Sequence, residues 1–118
     1  MIKGDALDGI DIPRYDTTQN VLIMSDPTLL VLSSLAEGDK HGYAIMQDIE
    51  TFAGVRLGPG TLYGAITRLE QCGWIRPVSA KSRRQPYTIT TDGRKHLQEE
   101  LAGLQSLVKT GLARLRNA

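Results

Sequence analysis

Three cations, Lys81, Arg83 and Arg84, fall within four residues, and the loop from Ser79 to Gln85 around them holds no acidic side chain. Clustered Lys and Arg of this kind suit phosphate. They belong to a wider block: residues 56–95 carry eight basic side chains against two acidic, whereas residues 1–55 carry three against nine. A formal net charge of +1 therefore conceals halves of opposite sign. On charge alone, a face for a polyanion and a solvated surface with clustered charges are equally good readings. Other chemistry is thinly supplied. Cys72 is the single cysteine, His41 and His96 are the two histidines, and no CxxC, HxxxH or HExxH spacing occurs, so no metal site is expected. No nucleophile, base and orienting group stand at usable spacing, so neither an enzyme nor a cofactor is predicted. Cys72 is expected to be a buried thiol and not a redox sensor, because Arg68 and Glu70 give no net bias towards thiolate.

The elements that must hold these cations follow from punctuation and periodicity. Asp26-Pro27 offers an N-cap and a first-turn proline, predicting a helix that Gly38 stops, with Leu29, Leu30, Leu32, Ser33, Leu35 and Ala36 covering most of its circumference. A second helix is expected from Gly42 to Phe52, with Tyr43, Ile45, Met46, Ile49 and Phe52 at helical spacing, Asp48 and Glu50 outward, and Gly54 closing it. A third starts at Gly58-Pro59, directs Leu62, Ile66 and Leu69 inward and ends at Gly73. Its flanks and outer face then hold Gly60, Thr61, Tyr63, Gly64, Thr67 and Arg68. A surface that small and neutral can approach another surface closely, unlike the Glu, Lys and Gln of an ordinary exposed helix.

Two short strands, 74–78 and 86–90, flank the basic loop, which is too long for a tight hairpin turn. Trp74 is read as a core aromatic holding the hairpin. Three helices, a hairpin and a cationic tip predict a winged helix-turn-helix: mostly α with a small β-hairpin. From Thr91 or Asp92 to about Arg116 a long helix follows, with Leu97, Leu101, Leu104, Val108, Gly111 and Leu115 spaced 4, 3, 4, 3, 4 as a heptad seam for a second copy of the chain. Leu107 and Leu112 widen the stripe.

The 118 residues and 12.9 kDa allow one domain, and 41% hydrophobic with 23% charged residues is ordinary globular composition. The expected organisation is an arm at 1–24 of low order, a winged helix-turn-helix at 25–90 and a dimerisation helix at 91–118. No apolar run approaches the roughly 20 residues of a membrane span, and the lone cysteine fits a reducing compartment, so a cytoplasmic protein away from membranes is expected.

His41-Gly42-Tyr43-Ala44-Ile45, Leu57-Gly58-Pro59-Gly60-Thr61-Leu62-Tyr63, Arg68-Leu69-Glu70, Gly73-Trp74-Ile75, Arg83-Arg84, Tyr87 and Thr90-Thr91-Asp92-Gly93 follow in order up to Leu97. This set resembles the PadR family of bacterial transcription regulators over about 26–97, in its short branch with a single C-terminal helix. The resemblance implies a homodimeric DNA-binding regulator, usually a repressor, joined through the C-terminal helix and open to a small-molecule effector. The third helix is then expected in the major groove, with Gly60, Thr61, Tyr63, Gly64 and Thr67 nearest the bases. Pro59 and Gly60 leave the helix N-terminus open to a phosphate, and Arg68 reaches the backbone. Lys81, Arg83 and Arg84 track phosphates or enter the minor groove, and Tyr43 and His41 add phosphate hydrogen bonds unless Tyr43 is buried. Gly64 departs from the family's usual proline, and Gln85-Pro86 replaces a basic residue and a tyrosine, so Pro86 removes a strand donor from the wing. A winged-helix docking module for a basic protein partner is the competing reading.

Overall fold

The computed structural model describes residues 27–78 and 84–117. The arm at 1–24, the Asp26 cap and the loop cations Lys81 and Arg83 lie outside the described residues. Helix α1 (Pro27–Glu37) is the hub, touching every other helix and the hairpin. Leu29, Leu30, Val31, Leu32, Ser34 and Leu35 are buried, so it is the all-round apolar helix that its composition predicts. The expectation for two of its positions needs correction: Ser34 is the buried serine and Val31 belongs to the core, while Ser33 and Ala36 are half-buried. Ser34 tolerates burial because its hydroxyl donates to Asp48 Oδ2 at 2.7 Å. Asp48 consequently faces α1 and not, as predicted, solvent. Lys40 completes this network, donating to the Ser34 carbonyl at 2.6 Å and lying 2.9 Å from Glu37 and 3.8 Å from Asp48.

Strand β1 (Lys40–His41) was not predicted, since two residues carry no readable period. Helix α2 (Gly42–Ala53) follows at once, its N-cap being His41, whose side chain accepts from the Ala44 N–H. It ends at Gly54, whose φ of 69° lets its N–H reach the Glu50 carbonyl. Ile45 and Ile49 are its buried pair, with Gly42. Tyr43 and Phe52, predicted on the apolar stripe, are instead 57% and 49% exposed, because α2 packs along a narrower side than its sequence offers.

Helix α3 (Pro59–Cys72) takes Gly58 as N-cap and Pro59 at its first position, and closes on Gly73 at φ 77°. Leu62, Ala65, Ile66 and Leu69 are buried. Cys72, one further step along this series, is exposed, correcting the expected buried thiol: the last turn, Gln71 to Gly73, extends past the core.

Strands β2 (Ile75–Pro77) and β3 (Pro86–Ile89) pair antiparallel in the register Ile75 to Ile89, and β1 joins the other edge of β3 through Lys40 to Tyr87. Each strand is shorter than predicted where its ends serve the helices: the Trp74 N–H bonds the Leu69 carbonyl, and Thr90 caps helix α4 (Thr91–Arg116). Pro86 does lack a donor towards Val78, but the Gln85 side chain replaces it, donating to the Val78 carbonyl at 2.7 Å. Thr90 Oγ1 both accepts from the Gly93 N–H and donates to the Gly73 carbonyl, pinning α4 to the end of α3. Half-buried Trp74 packs on the core and stacks on His96 with ring centroids 3.7 Å apart. The core runs through α1, α2 and α3 into Ile75, Ile89 and Leu97, each buried aliphatic contributing about 2 kcal/mol. Among the described residues this is four helices and one three-stranded sheet, a winged helix with a long C-terminal helix, as expected.

Candidate nucleic-acid interface

The apolar face of α3 is anchored by Leu62, Ala65, Ile66 and Leu69, which fixes what faces outward. Pro59, Gly60, Thr61, Tyr63, Thr67 and Arg68 are exposed, and Gly64 is half-buried. The N-cap Gly58 makes no side-chain bond and the first turn holds no acidic residue, so the positive end of the helix dipole is not neutralised locally. The first helical bond runs from Leu62 N–H to the Gly58 carbonyl, leaving the Gly60 and Thr61 N–H groups ahead of it. Thr67 spends its hydroxyl proton on the Tyr63 carbonyl at 2.9 Å and presents its methyl group and oxygen lone pairs. Arg68 lies back along the helix, its Nη1 near the place where a Gly64 Cβ would stand.

The tertiary fold adds three other elements to this face. Tyr63 lies across Gly42, so tightly that any Cβ there would collide with its hydroxyl. Tyr43 stands next to Gly42 at the start of α2. Arg84, at the foot of the wing, places Nη1 3.4 Å from His41 Nε2. Together His41, Tyr43, Tyr63, Arg84, Gln85 and Tyr87 line a recess of about 390 Å³ over Gly42. Burial raises the Tyr87 phenol above its ordinary value, with the Glu70 charge and Tyr63 acting in the same direction, so this hydroxyl keeps its proton. Gln85 and Tyr87 stood out in the sequence only as family positions and were not expected at the contact face; the missing signal is the β1–β3 pairing, which puts Tyr87 opposite Lys40.

Of the predicted contact residues, the fold thus gathers Tyr43, Tyr63 and Arg84 around one recess and sets Pro59, Gly60, Thr61, Gly64, Thr67 and Arg68 along the adjoining helix. Two other described cations of the basic block lie elsewhere. Arg56 pairs with Glu50 at 3.2 Å beside α2, and Arg94 reaches the Ala36 carbonyl at 3.4 Å. On α4 the heptad seam divides: Leu97 is buried in the chain's own core and Leu104 packs against it, whereas Leu101, Val108 and Leu115 are 45%, 39% and 67% exposed. Gly111 is half-buried, Leu107 is exposed, and Leu112 is buried. No helix among the described residues is long and apolar enough to cross a membrane, and no cluster of three metal-capable side chains forms among them.

Comparison with known proteins converges on one family. Residues 31–99 match the Transcriptional regulator PadR-like family. An uncharacterized 37.1 kDa protein in transposon TN4556 of Streptomyces fradiae is 46% identical over 83 residues, 70% of this chain but only 24% of that protein's length. Transcriptional regulator Rv3488 of Mycobacterium tuberculosis is 34% identical over 85 residues, covering 69% of this chain and 78% of the relative. A transcriptional regulator from Clostridium thermocellum, Cth-833, superposes with a TM-score of 0.66 at 28% identity, covering 87% of this chain and 97% of the other. A PadR family transcription regulator from Clostridium difficile R20291 shares the fold at TM-score 0.68 and 24% identity, over 75% and 97% of the two chains. With more than half of its residues matched by the family and a winged helix as its fold, the chain belongs to the PadR-like family of transcriptional regulators.

Proposed function

We propose that the chain binds duplex DNA as a homodimer and represses transcription from an inverted-repeat operator, α3 lying in the major groove. The observation that carries this reading is the exposed strip Gly60, Thr61, Tyr63 and Thr67 beside the His41–Arg84 recess: a neutral surface narrow enough for a groove, adjoining cationic and hydroxyl groups suited to phosphate. Gly60, Thr61, Tyr63, Gly64 and Thr67 face base edges. Pro59, Arg68, Tyr43 and the wing residues Lys81, Arg83 and Arg84 hold the backbone. The exposed Leu101, Leu107, Val108 and Leu115 on α4 meet a second copy, so residues 91–118 form the dimerisation segment and residues 25–90 the DNA-binding unit. Two-fold symmetry then sets half-site centres about one helical turn apart. Repression follows from occluding polymerase, in the cytoplasm where the DNA is.

A small-molecule effector that releases the DNA belongs to the same reading. The recess between α1 and α4, lined by Thr28, Leu32, Trp74, His96 and Glu100, holds about 250 Å³, below the roughly 300–1,000 Å³ of drug-sized ligand sites. The effector is assigned to the surface that two α4 helices complete together, where Gln105, Val108, Lys109, Leu112 and Arg116 of α4 already line a recess of about 310 Å³. Fluorescence anisotropy against duplex from the protein's own upstream region and against scrambled duplex, at low and physiological salt, tests the core of the proposal. Binding to upstream DNA that outlasts added salt is the expected result. Equal, salt-erased binding to both duplexes would remove sequence specificity, and no binding at any salt would favour a protein-docking role.

A further inference from the structure

Leu112 is buried where no described element reaches it. It is 8% exposed, whereas Leu107 and Leu115 on the same stretch of α4 are 66% and 67% exposed, and it lies outside the core that α1, α2 and α3 share. Helix α1 packs along α4 and runs antiparallel to it: Arg94 reaches the Ala36 carbonyl, while Thr28, at the other end of α1, lines a recess with Glu100. Rising about 1.5 Å per residue, α1 begins roughly beside Gly103, about 13 Å short of Leu112. The hairpin is farther away, since β3 ends where Thr90 caps the start of α4. A recess of about 310 Å³ on this stretch, lined by Gln105, Val108, Lys109, Leu112 and Arg116, points the same way. A lone helix is a convex cylinder, so the recess requires a second wall.

We propose that the chain's own residues ahead of Pro27 supply this cover, with the apolar run Val21-Leu22-Ile23-Met24 seated on Leu112. Position selects this segment first. The chain enters α1 at the end nearest Leu112, and at about 3.3 Å per residue Ile23 to Val21 reach roughly 13–20 Å beyond Pro27. Side-chain chemistry agrees, because four consecutive apolar residues suit a leucine that must leave water. Charge agrees as well: residues 1–26 carry five acidic side chains against two basic, whereas residues 101–118 carry three basic and no acidic ones. A second copy of the chain does not account for the cover, since Leu112 is buried within one chain. The other stretch outside the described residues, 79–83, joins β2 to β3 at the end of the hairpin away from α4.

Gln105, Lys109, Leu112 and Arg116 recur at steps of 4, 3 and 4 and form one stripe of α4, while Leu101, Val108 and Leu115 recur at seven and form the next. The docked segment takes the first stripe and leaves the second uncovered. Without that cover the C-terminal half of α4, which contains Gly103 and Gly111, would stand alone in water, where a helix this short is marginal. Docking therefore holds the exposed leucine stripe in helical form.

Disulfide trapping in the full-length chain tests the contact. With Cys72→Ser removing the native thiol, Leu112→Cys is combined in turn with Val21→Cys, Leu22→Cys, Ile23→Cys and Met24→Cys, and each protein is exposed to dissolved oxygen. At least one pair is expected to close within a single chain, remaining at the chain mass on a non-reducing denaturing gel with both thiols lost. Closure of none of the four pairs, or closure only between two chains, would overturn the proposal. Hydrogen exchange gives a second reading without introduced cysteines. Leu22→Ser/Ile23→Ser should speed amide exchange across 109–116 by about tenfold or more and leave α1 and α3 as protected as before. Unchanged exchange across 109–116 would show that this run does not cover Leu112, which also overturns the proposal.

Discussion

A methyl group added at Gly42 or at Gly93 meets two different kinds of neighbour. At Gly42 the obstacle is the end of the Tyr63 side chain, which can swing aside. Gly42→Ala is therefore expected to cost under about 1 kcal/mol of stability while moving Tyr63 off its seat, and to weaken duplex binding in the anisotropy titration. At Gly93 the obstacle is the Trp74 carbonyl, a backbone atom held by the Thr90 N–H at 2.9 Å. Gly93→Ala should lower stability by about 1–3 kcal/mol in thermal or urea denaturation, because the start of α4 must move. Thr61 makes a third contrast: Thr61→Val keeps its shape but removes its hydroxyl, and a shift in preferred sequence, with little change in stability, is the expected outcome in a binding-site selection. Single residues were unevenly legible. The outward placement of Thr61, Tyr63, Thr67 and Arg68 follows from the spacing of Leu62, Ile66 and Leu69. The exposure of Cys72 and the inward turn of Asp48 do not, since each depends on where a neighbouring element ends or what it presents.

Among the elements, the wing shows how a local defect is repaired. Pro86 removes the donor that would return the Val78 bond, and the Gln85 amide restores it while also touching the Pro86 carbonyl at 2.8 Å. Gln85→Ala is expected to fray the hairpin at its open end, costing about 0.5–1.5 kcal/mol. Hydrogen exchange at the Val78 and Thr88 amides would show it, with faster exchange there and no change in α1. The helices need no such repair. Pro27 and Pro59 open two of them, Gly54 and Gly73 close two with positive φ, and Thr90 caps the last, all signals confined to one turn of chain. The β1 strand had no such signal; its two residues become a strand only because β3 lies beside them.

At the scale of the whole molecule, α4 presents Leu101, Leu107, Val108 and Leu115 as an exposed apolar strip. Leu101 and Val108 stand outside the core, so lysines there leave the winged helix intact. The wild-type protein is expected at about twice its 12.9 kDa chain mass by light scattering, and the variant Leu101→Lys/Val108→Lys at the chain mass, still unfolding cooperatively but at a lower midpoint because association no longer stabilises the folded chain. Its affinity for a two-half-site duplex should fall by about hundredfold or more, since the second half-site would no longer be engaged within the same complex. A wild-type protein at the chain mass would remove the dimer from the proposed function.

The sequence by itself determined the helix limits, the inward face of α3, the order of the helices and the hairpin, and the cationic loop, because caps, prolines, positive-φ glycines and helical periods act between residues within about one or two turns. Its ordered motifs carried the family as well. Only the tertiary structure decided that His41 and Arg84, 43 positions apart in sequence, lie 3.4 Å from each other, that Tyr63 rests on Gly42, and that Leu97 belongs to the chain's own core while Leu101 and Leu115 do not. Those outcomes depend on the way α1 carries α2, α3 and α4 around itself and on the β1–β3 register. Contacts between elements are selected by the packing of the whole core, and no local period or motif specifies them.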